Sequence, residues 1–434
     1  MRNFAKLFSV LSFLTWCAGV DGAANWPAWR GDVDGSGIVA GNDRLPVQWS
    51  QTENVRWRVP LPERGNSTPV VWGDHVFVTQ PLEKEHRRTL MCFHRADGRL
   101  LWQSGVTDDR PEKTHASNPY CSASPAADGE RVIVTFGSAG VLCCDFKGKE
   151  IWRRNFGDLD HIWGYSSSPL IYGDLCILYH GPGSKSSLLA LDKKTGETVW
   201  EFQEPAWETA DRTDGFKGKS DGVVGSFSTP IIIKAGGRDE LVMSFPQQLR
   251  SFAPKTGKEL WQCDGLNPLV YTSPIYGNGV VVAMGGFNGN TIAVKAGGQG
   301  NVTATHRLWQ HVRGKGGIGS GVIKGDYIYF PEGAVSACLE LKTGKTVWEE
   351  RLKAPGAKSN SWSSMLLAGD KIYLPNQSGD VMVIEASPTF KQIAVNSVKE
   401  PTNSSLVVSK GDIFFRTDHS LWCFNETKTT ASIR

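Results

Sequence analysis

One short phrase built around a tryptophan recurs along the chain and constrains its fold more than any other feature. Leu191-Asp192-Lys193-Lys194-Thr195-Gly196-Glu197-Thr198-Val199-Trp200 returns with variation as Phe252 to Trp261, and again as Leu339 to Trp348. Shorter forms end at Trp102 and Trp152, and Trp57 and Trp309 are bare versions. A second phrase opens each unit: Ser67-Thr68-Pro69, Ser124-Pro125, Ser168-Pro169, Thr229-Pro230 and Ser273-Pro274. Gly321-Val322, Ser364-Met365 and Ser405-Leu406 are degenerate openings, which makes eight in all.

Each unit reads as four short strands. An apolar run follows the opening and reaches a Gly-Asp-like turn such as Gly73-Asp74 or Gly173-Asp174. An alternating strand such as Arg131 to Phe136 comes next, then a third strand ending at the Leu-Asp position. Thr-Gly-Lys turns the chain into the fourth strand, which carries the Trp. Glycine suits the left-handed position of that hairpin, where a Cβ would clash. No helical periodicity is sustained. Four strands in a period of roughly 40–50 residues is the propeller signature.

The ends complete the count. The last unit, Asn403 to Cys423, lacks a Trp strand, and the first Trp strand, Val55 to Val59, has no unit before it. Joining them leaves no open sheet edge. The sequence therefore predicts an all-β fold: a single eight-bladed β-propeller of four-stranded antiparallel blades over 54–424, closed by the N-terminal strand. A lead segment occupies 25–53 and a tail 425–434. The 434 residues alone suggest two or three domains. The repeat replaces them with one ring, because each unit buries its faces only against its neighbours.

Lysine and arginine number 47 against 44 aspartates and glutamates, a formal net charge of +3. That balance leaves no electrostatic footprint for nucleic acid. Arg2, Lys6, the apolar stretch Leu7 to Val20 and the small residues Gly22, Ala23 and Ala24 read as a cleaved export signal over 1–24. Trp16 before Cys17 argues against a lipoprotein box, and no later stretch is apolar enough to be a transmembrane helix. The expectation is an exported, periplasmic or secreted monomer.

The pattern Ala/Cys-Leu-Asp-x-x-Thr-Gly-Lys-x-x-Trp resembles the repeat of the pyrroloquinoline-quinone (PQQ) enzyme propellers. The whole chain, with its lead Asn25-Trp26-Pro27-Ala28-Trp29-Arg30-Gly31, resembles exported bacterial PQQ-binding-like propeller-repeat proteins. Its blades also resemble the BamB-type outer-membrane assembly propeller. The first resemblance implies PQQ with Ca²⁺ as cofactor. It also implies a carboxylate and an amide holding the calcium, an Asp base, a Trp floor and a disulfide between adjacent cysteines.

Cys143-Cys144 are adjacent, but they fall mid-strand beside Asp145, where successive side chains point to opposite faces. The slot of Cys143 holds Cys92, Cys143, Ala190, Ser251, Ala293, Cys338, Val383 and Cys423 in turn, so cysteine there reads as a small packing residue. Asp32-Val33-Asp34-Gly35-Ser36-Gly37 matches the start of a calcium loop, with Asp43 at the twelfth position. No helical pattern flanks it, and an ordinary connector is the competing reading. There is no nucleophile elbow and no zinc motif. The Lys-Thr-Gly triplets belong to the hairpin turns, and His86-Arg87-Arg88 reads as solvated loop charge.

The tight turns share one face of the ring. The long, varied loops share the other, among them 107–120, 203–225 and 285–290, and a face of variable loops on a rigid scaffold is the usual place for binding. Residues entering the innermost strands there are His115, Asn118, Tyr120, His161, Trp163, Tyr165, Asn360, Trp362 and Asn403. Convergent aromatic and polar groups in a funnel suit a planar or sugar-like ligand. No catalytic set is complete. The leading reading is an exported non-catalytic scaffold that binds a protein, polymer or small ligand on its loop face. A PQQ/Ca²⁺ oxidoreductase of alcohols or sugars and a carbohydrate-binding or carbohydrate-active propeller are the alternatives. The seven repeat tryptophans, Trp57, Trp102, Trp152, Trp200, Trp261, Trp309 and Trp348, are expected to be structural.

Overall fold

The computed structural model describes residues 25–41, 45–207, 224–287, 289–312 and 317–426. The expected export signal at 1–24, Asp43 and the end of the tail lie outside them.

Eight antiparallel blades form the ring. The first runs Val70–Trp72, His75–Leu82, Arg87–His94 and Leu100–Thr107 in spatial as well as chain order. The second to seventh repeat this plan. The eighth takes Val407–Ser409, Asp412–Arg416 and Ser420–Phe424 from the end of the chain, and Val55–Pro60 from its start as the outermost strand. Closure by the N-terminal strand is therefore what the structure has.

Two repeated positions hold the blades together. In seven blades the small-residue slot lies directly across the ladder from the Trp slot, as Cys92 from Trp102, Cys143 from Trp152 and Cys423 from Trp57. A large side chain there would collide with the indole. In every blade the ladder slips by one residue next to that pair, a bulge that sharpens the local twist.

Each indole then reaches the next blade. Trp102 Nε1 donates to the Phe146 carbonyl at 2.9 Å and Trp152 Nε1 to that of Lys193 at 3.0 Å. The turn glycine of the receiving blade lies flat on the ring. Gly148 has φ +84°, and a Cβ on it would stand 2.6 Å from Trp102. Thr-Gly-Lys is thus the socket for the neighbouring tryptophan as well as a turn.

Two blades depart from the pattern. Trp261 is fully buried and donates to Glu240 of its own blade, because 300–301 of the fifth blade crosses over as a parallel fifth strand against Glu259–Asp264. The seventh blade carries Ala394 where the Trp belongs. There Trp49 of the lead stacks on Tyr373 of the seventh blade at 6.2 Å and on Phe424 of the eighth at 5.3 Å. At the seam, where no Thr-Gly socket exists, the lead supplies the missing indole.

The cysteines are packing residues. Cys143 faces the core between the second and third blades, and Cys144 the core between the first and second. All eight cysteines among the described residues are free and buried.

Candidate functional site

The inner wall of the ring is a closed circle of hydroxyls. The N–H of Thr68 donates to Ser124 Oγ, Ser124 to Ser168, Ser168 to Thr229, and Thr229 to Ser273. Ser273 donates to Ser320, Ser320 to Ser364, Ser364 to Ser405, and Ser405 back to Thr68, all eight at 2.7–3.2 Å. Every member is buried. The serine and threonine of the opening phrase thus join each blade to the next. In the sixth blade the hydroxyl comes from Ser320, one residue before the Gly321-Val322 read as the opening.

The lead segment crosses the tight-turn end of this channel. Trp26 pairs with Val71 of the first blade, and Pro27 accepts from Ala127 of the second. Val33 accepts from Ile232 of the fourth, and Gly37 from Leu367 of the seventh. Arg30 sits buried at the centre of that crossing. Its guanidinium donates to the carbonyls of Gly35, Ser36, Ser320, Gly321 and Met365 at 2.6–3.3 Å, and burial pushes its pKa down to about 10. The carbonyls of Gly35 and Ser36, inside the stretch that matches a calcium loop, are therefore engaged by a cation of the chain itself.

The other end is the mouth. Residues 108–120 form a strap that leaves the first blade, passes over the mouth and returns to the second. At its root Arg110 grips Asp108 at 2.7 Å and Asp158 at 2.5 Å. Glu112 accepts from the Ser138 N–H at 2.8 Å, and burial raises its carboxyl to about 7. At the tip the Ser117 carbonyl accepts from Asn66 of the first blade at 2.8 Å and from Asn403 of the eighth at 3.0 Å. Asn118 donates to the Trp163 and Tyr165 carbonyls beside the third blade.

Beside the strap stands a row of rings. Trp163 stacks on Tyr271 at 6.2 Å, and Tyr271 lies within 7° of parallel to Phe227 at 5.8 Å. His161 meets Trp163 and Phe227 edge-on at 5.8 and 5.3 Å, and the exposed His115 meets Trp163 at 6.5 Å. Of the nine residues read from the sequence, His115, Asn118, His161 and Trp163 come together here. Asn403 joins through the strap and through Gln377, which donates to its amide oxygen at 3.0 Å, while the Asn360 carbonyl accepts from the Gln377 N–H. Trp362 is half-buried, with no partner described.

Tyr120 and Tyr165 do not face the mouth. Tyr120 lies beneath the Arg88 guanidinium at 3.5 Å, with its hydroxyl on the Glu112 carbonyl. Tyr165 is buried against Gly137. Sequence reasoning missed Phe227 and Tyr271. Both stand two residues before a ring hydroxyl, as Trp362 and Asn403 do. The full set at that position is Asn66, Ser122, Ser166, Phe227, Tyr271, Ile318, Trp362 and Asn403. Amides and hydroxyls occupy blades eight to three, apolar groups occupy blades four to seven, and none of the eight carries a charge.

The family model described as outer membrane protein assembly factor BamB matches residues 28–156 and 86–350. No curated protein matches the sequence. Among solved structures, BamB from Moraxella catarrhalis aligns with 86% of this chain and 97% of its own at 13% identity, TM-score 0.58. A europium-containing methanol dehydrogenase aligns with 93% and 98% at 11% identity, TM-score 0.66. Quinohemoprotein alcohol dehydrogenase from Comamonas testosteroni aligns with 92% and 80% at 12% identity, TM-score 0.66. At these identities the likeness is one of fold.

Among the described residues, the eight positions at the mouth do not fit PQQ with calcium. The cofactor carries three carboxylates and needs cations around it, and its calcium needs a carboxylate. The eight positions at the mouth offer neither. Arg416, the nearby buried cation, is committed to Ser67, Thr79 and Gln80. Cys143 and Cys144 lie on opposite faces of one blade. Among the described residues no three acidic, histidine or cysteine side chains gather to hold a metal.

Proposed function

We propose, from the premise that this chain belongs to the outer membrane protein assembly factor BamB family, that it is a non-catalytic propeller holding a partner on its loop face. The observation that carries this is the mouth itself. An aromatic row and an amide-bearing strap frame it, without a charged group at its eight lining positions, over a channel whose far end the lead segment crosses. Such a site has surface for stacking and hydrogen bonding, and its eight positions hold no paired nucleophile and base. The basic, apolar and small-residue order of 1–24 supports an exported protein, and periplasmic residence fits the family. Among the described residues no helix is long and apolar enough to cross a membrane.

Adding PQQ and Ca²⁺ to the purified protein tests the non-catalytic half of this reading. The expected result is an unshifted quinone spectrum and no dye-linked oxidation of alcohols or aldoses. Stoichiometric uptake with dye reduction would overturn it.

A further inference from the structure

We infer that the loop face over the sixth to eighth blades docks an acidic, carboxylate-rich segment of a partner protein, an inference that rests on the loop-face reading above. Between Glu350 and Asp370 the chain carries no acidic residue, but it carries Arg351, Lys353 and Lys358. This stretch is the link from the sixth blade to the seventh. Lys399 stands on the next link, from the seventh blade to the eighth. The 376–379 turn of the seventh blade lies between them: the Lys358 N–H donates to Ser378 Oγ at 2.9 Å, and the Val398 N–H to the Gly379 carbonyl at 3.2 Å. Gln392 holds the Lys353 backbone, accepting from its N–H at 3.0 Å and donating to its carbonyl at 2.7 Å. All four cationic side chains are exposed, and among the described residues none is in an ion pair.

The carboxylates of the same sector are withdrawn from the surface. Glu332, Asp380, Glu400 and Asp418 are all buried. Asp380 accepts from the Gly356 N–H at 2.9 Å and from Asn376 at 3.1 Å, Glu400 from Arg58 at 2.6 Å, and Asp418 pairs with Arg64 at 3.3 Å. Acids below and ammonium groups above leave a positive surface on firmly bonded backbone. The strap side differs, since Arg110 there is closed by Asp108 and Asp158. Lys399 adds a conformational sign. Its φ is +54°, where a residue other than glycine is uncommon and strained, yet a lysine is presented there. Exposed cations of this kind steer and orient a partner of opposite charge, and they repel a basic one. An apolar partner would strip water from the ammonium groups without replacing it.

Fluorescence anisotropy with labelled decaglutamate, decalysine and decaserine, and co-sedimentation with phosphatidylglycerol vesicles, test this. The expected result is saturable binding of decaglutamate and none of decalysine or decaserine. Binding should weaken at least tenfold as salt rises from about 50 to about 300 mM, because screening shortens the reach of exposed charges. Lys399→Gly suits the left-handed backbone and removes the charge. Combined with Lys358→Gln, it is expected to weaken binding at least tenfold. Lys255→Gln with Lys258→Gln removes two exposed lysines from a tight turn and is expected to leave binding unchanged. Thermal midpoints no lower than the parent's show that folding is not what changed. No decaglutamate binding at low salt, equal losses in the two double variants, or binding of the vesicles but not of decaglutamate would each overturn the inference. A partner captured at the loop face by a protein that binds no decaglutamate would overturn it too, while leaving the loop-face reading intact.

Discussion

The Ser405 N–H donates to the Thr68 hydroxyl at 3.2 Å, and this bond, spanning 337 residues of sequence, closes a circle of eight. It lies at the seam where the two ends of the chain meet, and both partners are buried. The other seven links of the circle join blades that follow one another along the chain. This one, with the Arg95–Asp412 ion pair and the bonds of Arg416 to Ser67, Thr79 and Gln80, joins the eighth blade to the first.

Removing the hydroxyl leaves the Ser405 N–H buried and unsatisfied. Thr68→Val, nearly equal in shape, is expected to lower stability by about 1–3 kcal/mol in urea denaturation, the range for an orphaned buried donor. An unchanged midpoint would mean that the seam closes without the circle.

Trp49 stands in for the tryptophan that Ala394 does not provide. Trp49→Ala removes the stack on Tyr373 and Phe424, and is expected to cost about 3–5 kcal/mol, as for other buried large-to-Ala changes. Hydrogen exchange should localise the loss to the seventh and eighth blades. A loss spread evenly around the ring would contradict the assigned role.

Arg30 ties the lead to the sixth and seventh blades through carbonyls at Ser320, Gly321 and Met365. Arg30→Met leaves these carbonyls without their donor. Limited proteolysis is expected to cut between 30 and 41 in the variant and to spare that segment in the parent. Arg30→Lys should not restore protection, because an ammonium lacks the planar fork.

Glu112 predicts a pH dependence with a definite sign. Burial raises its carboxyl from 4.5 to about 7, so the folded protein holds a proton that the unfolded chain has released between those values. The associated stability is full below pH 4.5 and is lost as pH rises through about 7. Glu112→Gln keeps an acceptor for the Ser138 N–H and carries no charge. It is expected to raise the denaturation midpoint at pH 8 and to leave it unchanged near pH 4.5. A lower midpoint at pH 8 would contradict the sign.

What could be read from the chain was whatever repeats. Trp102 and Cys92 recur at fixed spacing because each blade solves one packing problem, so the ring, its number of blades and its closure were all legible. The exceptions to the repeat were not. Ser320 holds the ring position in register with the other hydroxyls, but Gly321 follows it where proline follows five of them, so sequence alone put the opening one residue late. Ala394 carries no mark that Trp49, more than 300 residues away, fills its place. At the mouth, position along a strand did not tell which way a side chain turns. Tyr120 and Tyr165 turned into the blade clefts, where Arg88 and Gly137 receive them. Phe227 and Tyr271 became recognisable once the ring hydroxyls defined a common frame.

The loop face, and not the tight-turn face, is proposed to engage the partner. A photo-reactive amino acid placed at the exposed Ala116, on the strap tip, or at the exposed Lys194, on a tight turn, tests it directly in the native host. A discrete, reproducible adduct is expected from position 116 and none from position 194. Adducts from position 194 alone, or identical patterns from both, would contradict it.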